Sequence, residues 1–123
     1  MLDGDLVHFL QSTFRSVWSL EVLTVLHGRP GQDLSIETLI REVRGSRPVV
    51  AQSLEALQAG GLVVPVSGDT IRYAPASDDL VRLSEAAVRA YRERPGEVRR
   101  LVLAGPTDKL QSFADAFKFR RDP

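Results

Sequence analysis

Residues Gly45 to Val63 read GSRPVVAQSLEALQAGGLV, and the fold turns on how that run is taken. Ser46 suits an N-cap, since its hydroxyl accepts an N–H that the first turn of a helix leaves unpaired. Pro48 falls in that first turn, where a missing N–H costs nothing. Val50, Ala51, Leu54 and Leu57 then recur at helical spacing and are expected to face inward. Gly60 and Gly61 stop the helix before an apolar run. Its outward side carries little charge.

Upstream, Ser35 caps SIETLIREVR, in which Ile36, Leu39, Ile40 and Val43 form one apolar stripe. Glu37 stands in the first turn, where the helix dipole favours an acid. Only Arg44, Gly45 and Ser46 separate the two helices. Downstream, LVVPV and TIRYAP are short β-rich runs joined by Ser67, Gly68 and Asp69, which predicts a hairpin. Pro65 has no N–H for a ladder, so its strand belongs at an edge. Two helices across a short Gly-containing turn make a helix-turn-helix, and the hairpin after them makes it winged.

Further out, Leu6, Phe9, Leu10 and Phe14 give a helical rhythm from Asp5 to Phe14. Ser16 caps SVWSLEVLTVLHG, which is apolar over much of its girth and therefore central. Gly28 and Pro30 end it, and GRPGQD reads as a loop. After Pro75, Ser77 and two acidic residues open DDLVRLSEAAVRAYRER, which Pro95 and Gly96 are expected to break. EVRRLVLAG is a short helix or an extended piece. TDKLQSFADAFKF is amphipathic, and FRRDP is a basic end expected to fray.

The run L-x-x-L-x-x-x-G-L-V, here Leu54, Leu57, Gly61, Leu62 and Val63, resembles the recognition helix and first wing strand of winged-helix regulators. The multiple-antibiotic-resistance-type repressors are the nearest comparison, over roughly residues 16–75. The resemblance implies a mainly α fold, a winged helix-turn-helix with a short β-hairpin and flanking N- and C-terminal helices. Residues 1–76 would be the winged domain with its N-terminal helix, and 77–123 a helical extension for dimerisation or partner binding.

It also implies a DNA-binding regulator of transcription whose recognition helix lies in the major groove. By position, Arg47, Pro48, Val49, Gln52 and Ser53 would face the groove, with Ala56 further along. An amide such as Gln52 suits an adenine edge, Arg47 a guanine or phosphate, and Val49 a thymine methyl. Ser35, Arg44 and Ser46 lie at the helix starts and the turn, where backbone N–H groups meet phosphates. Arg72 matches the basic residue that the wing sends to the backbone or minor groove.

Charge tempers this reading. Formal net charge is +0, so no overall basic balance points to nucleic acid. Between Arg41 and Tyr73, four Arg (41, 44, 47 and 72) stand against Glu42, Glu55 and Asp69. That patch is thin for phosphate neutralisation, and a homodimer would double it. Val49 and Ala56 on the outward face and Asp69 at the wing tip suit the competing reading, a winged-helix adaptor that binds another protein. Arg89 to Arg100 holds five Arg against two Glu; the run is a solvated face or an extension of a backbone footprint.

The flanking apolar faces need cover. Leu6, Phe9, Leu10, Leu80, Tyr91, Leu110, Phe113 and Phe117 form either intramolecular core or the interface of a homodimer. KLQSFADAFKF would alternatively dock in a partner's groove.

Catalysis has little support. His8 and His27 lie apart, no spacing suggests a triad, and GRPGQD lacks the Lys and Ser/Thr of a phosphate loop. No cluster suggests a metal or cofactor. The chain has no Cys, which removes a thiol nucleophile and Cys-ligated zinc. Its 123 residues can bury a core without staples. No apolar run has transmembrane length, and MLDGDLVHFL lacks signal-peptide order. A cytoplasmic, non-enzymatic protein is expected.

Overall fold

Among the described residues, five of the six helices start at a side chain that accepts a first-turn N–H. The computed structural model describes residues 2–105. Helix α1 (Gly4–Thr13) is capped by Asp3, whose Oδ1 accepts the Leu6 N–H at 2.9 Å. Ser16 caps α2 (Val17–His27), Ser35 caps α3 (Ile36–Val43), Ser46 caps α4 (Arg47–Ala59) and Ser77 caps α5 (Asp78–Glu93). Each satisfies a donor that the helix itself leaves orphaned.

Helix α6 (Pro95–Ala104) starts differently. Arg94 turns the chain at φ −136°, ψ 60°, and Pro95 opens the new helix in the position that tolerates it. EVRRLVLAG is thus helical. Pro95 and Gly96 both end α5 and begin α6.

The described residues also hold three short strands: β1 (Asp33–Ser35), β2 (Val63–Pro65) and β3 (Thr70–Tyr73). They form an antiparallel sheet in the order β1-β3-β2. Leu34 pairs with Ile71, and Val64 pairs with Arg72. Pro65 lies on an edge strand, as its missing donor requires. The hairpin is joined to a third strand, β1, in the stretch before α3 that was expected to be loop.

The core gathers on α2. Leu20, Val22, Leu23 and Leu26 are almost fully buried there. Helix α1 adds Phe9, which meets Phe14 edge-on at 5.6 Å between ring centres. Helices α5 and α6 add Ala87, Val88, Val98 and Val102 to the same cluster. The core therefore runs without a break across position 76.

This corrects the interface expectation. Leu6, Phe9 and Leu10 are 7%, 5% and 0% exposed, and Tyr91 is 9% exposed. They are spent inside the chain, because α1 packs its apolar stripe on α5 and α6. Leu80 is half-buried against that core. Leu110, Phe113 and Phe117 lie outside the described residues. Among the described residues no helix is long and apolar enough to cross a membrane.

Candidate nucleic-acid interface

The turn between α3 and α4 is set by two backbone devices. Arg44 adopts the left-handed conformation (φ 57°) and ends α3, its N–H donating to the Ile40 carbonyl. Gly45 follows against Trp18; a Cβ added there would stand 3.2 Å from the indole Cζ3. Ser46 then caps α4 by accepting the Val49 N–H at 3.4 Å.

The outward side of α4 is a ridge of Arg47, Pro48, Ala51, Gln52, Glu55 and Gln58. Val49 is half-buried beside it. Two expected members are absent. Ser53 is 2% exposed and its hydroxyl donates to the Val49 carbonyl at 2.9 Å. Ala56 is 3% exposed. Both point into the domain, in the arc set by Val50, Leu54 and Leu57. Ala51, expected inside, is exposed in their stead.

The cations are partly committed. Arg47 pairs with Glu37 across the turn. Arg72 pairs with Asp33 on the neighbouring strand, Nε to Oδ1 at 2.7 Å, where the strand register sets the two residues opposite each other. The hydrogen bond and charge of Asp33 raise the Arg72 pKa further above its ordinary value. Arg29 pairs with Glu42 at 3.1 Å. Among the described residues of this surface, Arg41 and Arg44 enter no ion pair, so its free positive charge sits at the end of α3. Ser35 is half-buried and its hydroxyl accepts the Thr38 N–H at 3.1 Å. The Ile36 N–H is also used, donating to the Asp69 carbonyl at the hairpin tip at 3.1 Å.

The hairpin is short, and its β2 strand is apolar on the outside. Val64 and Val66 are 42% and 40% exposed. Thr70 Oγ1 donates to the Ser67 carbonyl at 2.8 Å and closes the tip. The hairpin base is tied down as well: Tyr73 and Ser84 share a hydrogen bond of 2.6 Å, and His27 lies edge-on to Tyr73 at 5.4 Å. His27 is therefore a packing residue.

Sequence reasoning missed Glu37 and Asp33 as partners of the two arginines, and Gln58 as a surface member. The alternation Asp33-Leu34-Ser35-Ile36 was the available signal for β1. Among the described residues, no group of three or more His, Cys, Asp or Glu is placed to hold a metal ion. No family model, curated protein or solved structure matches the chain.

Proposed function

We propose that the protein is a winged helix-turn-helix regulator that binds double-stranded DNA as a homodimer in the cytoplasm. The observation that carries the reading is the exposed ridge at the start of α4, held by a three-residue turn and flanked by the β2–β3 hairpin. Arg47, Pro48 and Gln52 on that ridge meet base edges, and Arg41 and Arg44 meet phosphates. Arg72 serves the backbone from the hairpin. Neither Ser53 nor Ala56 takes part. One copy presents few free cations, and a second copy doubles them and spans two half-sites about one helical turn apart.

The test is retardation of mixed genomic DNA at low and moderate salt, with Arg44→Ala, Arg47→Ala and Arg72→Ala beside the parent. The reading expects a steep salt slope and weaker binding in each variant. No retardation at low salt rejects it. Sedimentation of the full chain checks the dimer.

A second reading is supported by the hairpin's Val64, Pro65 and Val66 and by the internal pairing of Arg47 and Arg72. On that reading the same surface docks a protein, and salt leaves the association nearly unchanged.

A further inference from the structure

A groove of about 480 Å³ opens between α2, the end of α3, α5 and α6, lined by Val17, Trp18, Glu21, Val43, Tyr91 and Arg99. Its volume falls in the range of small-molecule sites. A second cavity of about 290 Å³ adjoins it, shares Glu21, Tyr91 and Arg99, and adds Arg92. Together they make one trough with three kinds of wall.

The first wall is aromatic. Trp18 is 38% exposed, high for an indole on the helix that organises the core. Tyr91 lines the same groove but is buried, with the Arg99 guanidinium over its ring at 5.6 Å from the ring centre. The exposed Trp18 indole offers area for stacking a planar group. The second wall is acidic. Glu21 Oε2 accepts the Tyr91 hydroxyl, while Oε1 takes no hydrogen bond from any described residue. A half-used carboxylate beside aromatic surface suits an amino group on the edge of a planar ring. The third wall is basic. Neither Arg92 nor Arg99 enters an ion pair among the described residues, and guanidinium groups suit phosphate. A ligand with only an anion leaves Glu21 unused, and one with only a cation faces two arginines.

We infer that this trough binds a mononucleotide whose base carries an exocyclic amino group, the base against Trp18, the amino group on Glu21, and the phosphate on Arg92 and Arg99. The inference stands whether or not α4 reads DNA, because it draws on other residues.

Trp18 is the sole tryptophan of the chain, so its fluorescence reports on the trough directly. The experiment titrates the full chain with AMP, GMP, UMP, adenosine and inorganic phosphate. Expected is a saturable change with AMP or GMP at a Kd below about 1 mM, with UMP, adenosine and phosphate each weaker by about tenfold or more. Glu21→Gln keeps an acceptor for the Tyr91 hydroxyl and should erase the preference for AMP or GMP over UMP. Arg92→Ala, at an exposed position, should weaken AMP to the level of adenosine. Thermal unfolding of both variants establishes that they fold. No saturable change with AMP or GMP, equal binding of UMP, equal binding of adenosine, or an unchanged preference in folded Glu21→Gln overturns the inference.

Discussion

Arg47 and Glu37 hold each other across the turn between α3 and α4, so the cation best placed at the start of α4 is already matched by an acid. Both side chains are more than half exposed, 57% and 55%. A pair so wet contributes about 0–1 kcal/mol to stability. If α4 binds DNA as proposed, the pair's larger effect falls on association, because any phosphate must compete with Glu37. Glu37→Gln should therefore tighten DNA binding and steepen its salt dependence, by up to about 0.9 in the log–log slope for one added phosphate contact. Mobility shifts at several salt concentrations check this. An unchanged slope would show that Arg47 stays off the backbone even when free.

The buried stripe of α1 gives a second test. Leu10 is fully buried among the helices of its own chain. Leu10→Ala should lower stability by about 2–5 kcal/mol, the usual cost of emptying a leucine site. Sedimentation at a temperature where the variant is folded should show the parent's oligomeric state. A selective loss of dimer with unfolding unchanged would restore α1 as an interface.

Gly61 sits at φ +77°, and a Cβ there would meet Leu80 Cδ1 at 3.2 Å. Both the left-handed backbone and the contact oppose a side chain. Gly61→Ala should cost more than about 1 kcal/mol in denaturant unfolding. Gly68→Ala, at φ +54° with open space, should cost less, since it carries only the backbone penalty.

Two phenols set an alkaline limit. Burial pushes the Tyr73 hydroxyl above the ordinary tyrosine value; the bond to Ser84 opposes this and the charge of Glu85 adds to it. Burial also raises Tyr91, helped by the hydrogen bond and charge of Glu21 and opposed by Arg99. A raised folded pKa means that the native state holds the proton more tightly. That stabilisation is complete below the ordinary value of about 10 and is lost as pH climbs through it towards the folded value. Unfolding followed from about pH 9 to about pH 11 should show falling stability, with a shallower fall in Tyr73→Phe and Tyr91→Phe. Equal slopes in all three would remove these groups from the linkage.

The helix starts were legible because capping is local: Ser16, Ser35, Ser46 and Ser77 each act within three residues of themselves. The apolar arc of α4 was legible only in part. Ser53 stands three residues after Val50 and four before Leu57, within the arc, but its polar type drew it to the surface in the sequence reading. Ala51 and Ala56 are too small to declare a side, and neighbouring helices decide for them. Strand β1 was hidden by its length, since three residues in a Gly- and Pro-rich stretch carry one alternation. The pairing of Asp33 with Arg72 depends on strand register across 39 positions, which no local pattern encodes.

Gln11 donates to the Leu101 carbonyl at 3.4 Å, joining positions 90 apart, and α1 packs along α6 through the same region. Synthesis runs from one to the other. At about 5–20 residues per second, Leu6, Phe9 and Leu10 wait roughly 5–18 s for Val98 and Val102 to be made. Over that interval α1 has no finished seat. Its apolar side is then a transient nascent-chain surface, open to chaperones or to misassembly, and it closes only when α6 arrives.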